Sequence, residues 1–337
     1  MHNATIFQTR PYLIAYRRHF GRGRTFHRVR EGGACAWLQS KGKTAQRLEW
    51  WGAGIHDIGA AKYFDEASAR ALWARIEATA QPFHATLLAQ VEAASPFVEC
   101  ARESGWSVSD GEACPVLSLP DSWDDYVRSL GKNMREQIKR YPKRLEKAHA
   151  VEYQMAQTSD EVRVALDDLF RLHGKRWRAR GQSGVLATPR RQAFHREVCE
   201  EFLKRDWLRL WTLRCDGRAA CVLLSYAYEG RYSFFIGGFE PELMRLSVGT
   251  CLFAKVLSGA IEEGAREFDF LRGEEEYKYR FGAVNRPYKT LCRFRDSPRG
   301  RLLQARIGVE STLMDAVHRQ FSAAHRDKAA GKASQEQ

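Results

Sequence analysis

The sequence predicts an α+β protein of two tandem lobes, each a mixed and mostly antiparallel sheet flanked by helices. Two short turn signals, Asp216-Gly217 and Glu229-Gly230, divide residues 208–239 into a three-strand meander. A helix and the apolar strand 268–271 follow, and such an apolar run is typical of a parallel strand buried on both faces. The N-terminal part of the chain shows a less regular version of the same order.

The length of the chain is sufficient for two cores of ordinary size. It has 337 residues, of which 44% are hydrophobic. We expect the following segments: residues 1–121 as an N-terminal lobe, 122–149 as a basic connecting helix, 150–298 as a C-terminal lobe of the same kind, 299–325 as a C-terminal helix and 326–337 as a disordered tail.

The sequence shows no transmembrane segment and no secretory signal. It has no run of eighteen apolar residues, and residues 1–24 are polar and arginine-rich. The eight cysteines are scattered and never spaced as CxxC, which indicates buried thiols in a reducing compartment rather than a zinc site or a disulfide framework. We therefore expect a cytoplasmic protein without a metal ion, and its oligomeric state stays open.

The densest positive charge lies in the predicted connecting helix. The formal net charge of the chain is +13, and eight lysines and arginines between residues 128 and 147 are offset by only Glu136 and Glu146. Because the cations recur at spacings of three and four, many share one helical face. The pattern predicts a solvated helix or a surface for nucleic acid, an acidic carrier protein or a ligand phosphate. We expect Pro142 to kink or divide this helix.

Residues 247–276 carry a turn, an amphipathic helix, a buried strand and an acidic loop in direct succession. Ser247 is placed to cap the helix, and Gly264 ends it. A helix entered in this way points free backbone N–H groups and the positive end of its dipole at whatever lies above it, which favours a phosphate. The alternative interpretation is an ordinary capped helix without a ligand.

Several motifs of the second half occur together in a characteristic order. They are Trp123 with Tyr126, Leu130 to Arg135, His173 with Trp177, Ile236 to Pro241, Ser247 to Thr250, and Phe268 to Lys278. This order resembles the GNAT acyltransferase superfamily, in particular the branch named for the cellulose-biosynthesis protein CelD, also called BcsL, which is related to the FemAB peptidoglycan transferases. The resemblance implies tandem GNAT-like lobes, with the acyl donor held by the second.

The resemblance also implies how the donor binds. The last meander strand and the next parallel strand would separate, so that a pantetheine arm pairs with their free edges. Gly237 and Gly238 would supply a close backbone approach or a bulge. We assign donor binding, with acyl-CoA such as acetyl-CoA as the co-substrate, to Ile236, Gly237, Gly238, Arg245, Ser247, Val248, Gly249 and Thr250.

The phosphate turn departs from the superfamily pattern. That pattern is usually R/Q-x-x-G-x-G/A, whereas residues 245–250 keep Arg245 but have one glycine, Gly249, one position out of step. Fewer glycines leave fewer N–H groups free to surround two phosphates. Acyl carrier protein, with one phosphate, and aminoacyl-tRNA, which the FemAB relatives use, therefore stay open as donors.

Acyl transfer to an amine or hydroxyl requires a base, hydrogen-bond donors for the oxyanion and an acid for the leaving thiolate. The catalytic candidates are Asp269, Glu274, Tyr277 and His173, and the substrate-binding candidates are Trp177 and Lys278. Three adjacent glutamates repel one another, so one of residues 274–276 could have a raised pKa and act as the base. Tyr277 is the expected acid. A solvated loop and a packed histidine are the structural alternatives.

The predicted function is acyl transfer from acyl-CoA to an amine or hydroxyl of a sugar, a glycan precursor or an amino-acid-type acceptor, in extracellular polysaccharide biosynthesis. One alternative is a transferase that depends on aminoacyl-tRNA or acyl carrier protein. Another is a non-catalytic GNAT-like module that binds an acidic partner or nucleic acid. No metallohydrolase, serine-hydrolase or P-loop motif occurs in the sequence.

Overall fold

The computed structural model describes residues 5–43, 46–53, 61–178 and 181–308. Within these residues the chain forms two seven-stranded sheets with helices packed on their faces. Each sheet contains a meander, a crossover helix and one parallel strand pair. The α+β class with two tandem lobes is therefore confirmed.

The first part of the chain contains α1 (Arg10–Phe20), β1 (Arg24–Glu31), β2 (Ala34–Lys41), β3 (Arg47–Trp50), β4 (Ala61–Lys62), α2 (Glu66–Ala80), β5 (Ala85–Glu92), α3 (Pro96–Glu103), β6 (Ser107–Asp110) and β7 (Cys114–Ser118). A 3₁₀ turn, Ile6–Gln8, precedes α1.

The second part contains α4 (Trp123–Ser129), α5 (Lys132–Ala148), β8 (Val151–Met155), α6 (Ser159–Arg178), α7 (Pro189–Leu203), β9 (Leu208–Cys215), β10 (Arg218–Tyr228), β11 (Arg231–Phe239), α8 (Val248–Glu262), β12 (Glu267–Asp269), α9 (Glu276–Arg280), β13 (Val284–Arg286) and β14 (Tyr288–Phe294). A second 3₁₀ turn, Pro241–Leu246, joins β11 to α8.

The two sheets share one plan. The first has the strand order β1-β2-β3-β5-β14-β6, with β4 beside β2, and the second has the order β13-β7-β12-β11-β10-β9-β8. Each contains a single parallel pair, β3 with β5 in the first sheet and β11 with β12 in the second. In each sheet the crossover between these two strands includes a helix, α2 or α8.

Strands β7 and β14 and helix α1 cross between the lobes. Strand β7 pairs with β12 and β13 of the second sheet, whereas β14 lies between β5 and β6 of the first. Helix α1 packs against α7, with Tyr12 and Tyr16 in the core of the second lobe. The predicted segment boundaries stay predictions. The strand pairing shows that each sheet contains strands from both parts of the chain.

Local sequence explains the meander of the second sheet. Asp216 and Glu229 have a φ of +52°, and the following Gly217 and Gly230 have a φ of +75°. Positive φ at both central residues is the type I′ geometry, whose twist matches that of paired strands. The predicted hairpin turns are confirmed, and they join β9, β10 and β11 in antiparallel order.

The basic helix α5 is continuous. It runs from Lys132 to Ala148 with Pro142 inside it, and the chain breaks instead at Leu130-Gly131, between α4 and α5. The expectation that Pro142 could divide the helix is therefore wrong. The physical reason is burial, because Met134, Ile138 and Leu145 pack into the core on both sides of the proline.

In the described part of the chain no helix is long and apolar enough to cross a membrane. All eight cysteines are free, and seven of them are buried. Residues 298–308 form a helix, and the rest of the predicted segments 299–325 and 326–337 lies outside the described residues.

Candidate functional site

Strands β11 and β12 pair briefly and then separate. Their parallel register covers three pairs and ends at Ser233 and Asp269, whereas β11 continues to Phe239. The N–H of Phe270 donates to Pro115 O on β7 at 2.9 Å. Among the described residues no strand pairs with this side of residues 234–239. The structure thus contains the strand separation that the sequence predicted here.

The β-bulge lies before the glycine pair. Leu224 is opposite Ile236 and Ser225 is opposite Phe234, so Phe235 is the extra residue of β11. Gly238 instead allows a close approach, because a Cβ there would lie 2.7 Å from the backbone nitrogen of His173 on α6. A bulge at Gly237-Gly238 is therefore wrong, and close packing explains the glycines.

The turn into α8 leaves three N–H groups free. Ser247 occupies the cap position with a φ of +57°, but its side chain makes no capping hydrogen bond, contrary to expectation. The N–H of Cys251 donates to Ser247 O at 3.1 Å. The N–H groups of Val248, Gly249 and Thr250 therefore lack an acceptor within the described residues. With the dipole of a 15-residue helix, they can bind one phosphate group.

Tyr277 lies beside the separated strands. Its ring centroid is 5.4 Å from that of Phe253 and 6.3 Å from that of Phe270. Burial raises the pKa of its hydroxyl well above the ordinary value, and nearby Glu275 adds to this effect. The hydroxyl is therefore protonated at neutral pH and has a proton to donate.

Arg176 joins three elements at this site. Its guanidinium carbon lies 5.0 Å from the ring centroid of Phe239, near the end of β11. Its charge adds to the effect of burial in lowering the pKa of His173 on α6, and it opposes the larger effect of burial that raises the pKa of Tyr277 on α9. Arg176, which the sequence suggests as a partner for an acidic substrate or as a solvated cation, is not among the predicted site residues.

His173 is a buried, neutral histidine. Only 2% of it is exposed, its ring centroid lies 5.8 Å from that of Trp177, and burial lowers its pKa to about 4. His195 on α7, which sequence analysis missed, is similarly buried, and its pKa is lowered to about 3. Both Nδ1 atoms lack a hydrogen-bond partner in the described structure. Imidazoles with pKa values this low are neutral at neutral pH and can form hydrogen bonds, but burial opposes their protonation.

Asp269 is fully buried where β12 ends. Its Oδ1 accepts the N–H of Leu271 at 2.8 Å, and its Oδ2 has no partner among the described residues. Burial raises its pKa to about 6, although Arg231 and Arg286 lower it. A carboxyl group with a pKa near neutrality is suited to general base catalysis.

Two other predicted site residues, Lys278 and Glu274, lie after β12. Lys278 is 2% exposed, and its Nζ donates to the carbonyl oxygens of Arg272 at 2.8 Å and Gly273 at 3.0 Å and pairs with Glu275 at 2.9 Å. These contacts use the hydrogens of the ammonium group, so the geometry gives no support to substrate binding by Lys278. Glu274 is exposed, and its Oε1 lies 3.4 Å from the hydroxyl of Tyr279.

The structure thus brings some of the predicted site residues close together. The donor candidates Ile236, Gly237 and Gly238 are on β11, and Arg245 and Ser247 to Thr250 are at the start of α8. The ring of His173 lies beside that of Trp177, and the charge of Arg176 acts on both His173 and Tyr277. Asp269 ends the neighbouring strand, while Glu274 and Lys278 belong to the loop beyond it. In the described residues no group of three side chains could hold a metal ion.

The segment that contains this site is similar to a known domain family. Residues 132–279 match the family model described as "Acetyltransferase (GNAT) domain". No curated protein sequence matches the chain.

Solved structures resemble the chain over most of its length. FemX has 10% identity and a TM-score of 0.67, covering 89% of this chain and 94% of that one. L-PGS from Bacillus licheniformis has 12% identity and a TM-score of 0.58, covering 88% and 95%. The C-terminal domain of a putative lysylphosphatidylglycerol synthetase from Agrobacterium fabrum has 11% identity and a TM-score of 0.57, covering 88% and 91%. At these identities the likeness shows the shared fold.

Proposed function

We propose that this protein is a GNAT-type acyltransferase whose second lobe holds an acyl thioester. The observation that carries the proposal is the separation of β11 from β12 beside the free N–H groups that begin α8. Both features lie in the segment that matches the GNAT domain. The finer assignment to the CelD or BcsL branch stays a prediction.

The donor would enter along the free edge of β11. A pantetheine arm has amide groups that can pair with residues 234–239 as an added strand. Its phosphate would meet the N–H groups of Val248, Gly249 and Thr250. The bulge at Phe235 disrupts strand pairing beside the thioester and so leaves backbone groups available to its carbonyl oxygen. Acetyl-CoA is the simplest donor of this kind.

The chemistry is a direct transfer. The acceptor nitrogen or oxygen attacks the acyl carbon, a base removes the acceptor's proton, and a new C–N or C–O bond forms as the C–S bond breaks. Tyr277 would protonate the leaving thiolate and then regain a proton from solvent. Asp269 is the base candidate whose pKa, about 6, is closest to neutrality. His173 is the alternative base.

The acceptor would be an amino sugar, a glycan precursor or an amino-acid-type molecule, and the reaction would serve extracellular polysaccharide biosynthesis. Trp177 supports this choice, because its indole lies beside His173 and is a flat apolar group on which a sugar ring could pack. An aminoacyl-tRNA-dependent transfer is the alternative within the same fold.

Calorimetry with acetyl-CoA, longer acyl-CoAs and an acylated carrier protein tests the proposal, followed by thiol release in the presence of a panel of amino sugars. We expect binding of at least one donor and acceptor-dependent release. Absence of binding to every donor would remove the acyltransferase assignment.

A second candidate function is a non-catalytic module that binds nucleic acid through α5. Seven cations and two glutamates lie on this helix, and none of the seven pairs with a carboxylate among the described residues. Salt distinguishes the two functions, because binding that depends on nucleic-acid phosphates weakens steeply as salt rises. Weak salt dependence of RNA and DNA binding would exclude this module.

A further inference from the structure

One side of α5 is a continuous basic surface. Its buried side contains Met134, Ile138 and Leu145. We define the basic face of α5 as its exposed cations Lys132, Lys139, Arg140, Lys143, Arg144 and Lys147. None of them forms an ion pair with a residue that the structure describes. In neighbouring α4, by contrast, Arg128 pairs with Asp125. The positive charge of α5 is therefore offset only in part, by the exposed Glu136 and Glu146 of the same helix.

The basic face of α5 ends at the candidate donor entrance. The Nη2 of Arg144 donates to the carbonyl oxygen of Arg245 at 2.6 Å, and Arg245 lies in the 3₁₀ turn that leads into α8. Helix α5 also packs against α8 itself. The adjacent Met244 is 58% exposed. Cations and an exposed apolar side chain thus surround the place where a donor's phosphate would lie.

The number of free N–H groups limits the phosphate that can bind. Val248, Gly249 and Thr250 offer three, and the N–H of Ser247 is used because it donates to Met244 O at 3.0 Å. Three donors match one phosphate group. Coenzyme A has a pyrophosphate, whereas a phosphopantetheine arm attached to a protein has a single phosphodiester. The turn therefore fits the attached arm better.

We propose that the basic face of α5 docks an acidic carrier protein, which delivers the acyl group to the second lobe on a phosphopantetheine arm. This inference rests on the proposed acyltransferase function. Charge complementarity selects the partner, because the 17-residue helix is about 25 Å long and can face one acidic helix of a carrier. A carrier protein would also cover Met244, which a phosphate backbone would leave exposed.

The transfer itself is the reaction already described, with a different leaving group. The carbonyl carbon of the carrier's thioester bonds to the acceptor nitrogen or oxygen, and the C–S bond breaks. The carrier leaves with a free thiol, protonated by Tyr277, and the acceptor's proton passes to the base. The reaction requires no oxidant or further co-reactant.

The test compares two double variants with the wild-type protein. K143E/K147E reverses two charges of the basic face near the donor entrance. R22E/R30E reverses two exposed cations of the first lobe and is the matched control. The probe is an acidic acyl carrier protein bearing an acetylated phosphopantetheine arm, and its dissociation constant is measured by calorimetry. Melting temperatures establish that both variants are folded.

We expect the carrier to bind wild-type protein and to bind K143E/K147E about tenfold more weakly or worse, with R22E/R30E unchanged. Equal affinity for wild type and K143E/K147E overturns the proposal, as does an equal loss in R22E/R30E. The same measurement is made with a folded tRNA and with anionic lipid vesicles. If either loses more affinity for K143E/K147E than the carrier does, the proposal is overturned, because the basic face of α5 would then be a binding surface for that partner.

Failure of the proposed function has a different signature. Wild-type protein would then release no thiol from acetyl-CoA or from the acetylated carrier with any acceptor, although the carrier could still bind through α5. Turnover of acetyl-CoA without detectable carrier binding would instead leave the acyltransferase assignment intact and remove the docking surface.

Discussion

The two lobes place equivalent crossover helices at equivalent points, but only one helix start is open. In the first lobe, Asp65 caps α2, and its Oδ1 accepts the N–H of Ser68 at 2.7 Å. Glu66 adds a second carboxylate there. In the second lobe, α8 has no side-chain cap and no acid in its first turn. In the first lobe, the chain itself supplies the negative charge at the helix start. In the second lobe, that charge must come from a ligand.

The strand pairs differ in the same sense. Strand β3 ends one residue after its last pairing with β5, at Trp50, whereas β11 extends six residues beyond Ser233. In the first lobe, the last residue of β5 that pairs with β3 is Leu87. In the second lobe, the last residue of β12 that pairs with β11 is Asp269. Two lobes with the same plan thus differ at equivalent points. The second has an extended β11 and the ionisable Asp269, where the first has the short β3 and Leu87.

Closing the second helix start should have the largest effect. Gly249→Asp places a carboxylate in the first turn of α8, as Glu66 does in α2, and a Cβ at this position would meet no neighbouring atom within 4 Å. Repulsion between this carboxylate and a donor phosphate should cost several kcal/mol, or about a thousandfold in affinity. Calorimetry with acyl donors measures it. Gly249→Ala is the matched control, and similar losses in both variants would contradict the comparison.

Asp269→Asn removes the ionisable group that the first lobe lacks. Asp269 has a pKa of about 6 when folded, against about 4 in an unfolded chain. The folded state therefore holds this proton more tightly, so the resulting stability is present below pH 4 and lost as pH rises through 6. The difference corresponds to about 3 kcal/mol.

Denaturant unfolding between pH 4 and 7 measures this dependence in wild type and variant. We expect the wild-type free energy of unfolding to fall more with rising pH than that of Asp269→Asn. Glu274→Gln, which changes an exposed carboxyl, should keep the wild-type dependence. Identical pH dependence in wild type and Asp269→Asn would exclude the raised pKa.

Tyr277→Phe tests whether the acid lies in the second lobe. Loss of a general acid should lower kcat about a hundredfold while KM for the donor changes little. Tyr279→Phe is the matched control, because its hydroxyl faces Asn285 at 2.9 Å. Steady-state thiol release measures both variants, and equal rates for Tyr277→Phe and wild type would remove Tyr277 from the mechanism.

Asp65→Ala opens the start of α2 and should have the smallest effect. Loss of a capping side chain costs about 1 kcal/mol of stability. We expect a lower melting temperature and unchanged donor affinity, because β3 does not extend past its pairing with β5 as β11 extends past its pairing with β12. Weakened donor binding in this variant would show that the first lobe takes part in the site.

Local signals explain which parts of this structure could be predicted. The Asp-Gly and Glu-Gly turns encode the meander through their own φ angles, and the free start of α8 follows from the short segment around Ser247 and Gly249. The position of the bulge at Phe235 depends on register with β10. The burial of Lys278 depends on carbonyl groups that the chain brings together only when folded. Such long-range arrangements leave no local pattern.

Strand β14, which joins the sheet of the first lobe although it lies near the end of the second part of the chain, limits the order in which the chain can fold. Strand β6, at residues 107–110, finds its partner only when β14, at residues 288–294, has been made. Contacts this distant in sequence close large loops and slow folding. Until then, β6 and the side of β5 that faces away from β3 are unpaired and invite aggregation on a ribosome or in an isolated lobe. A fragment that ends before residue 288 should therefore require chaperones, whatever the stability of its own helices.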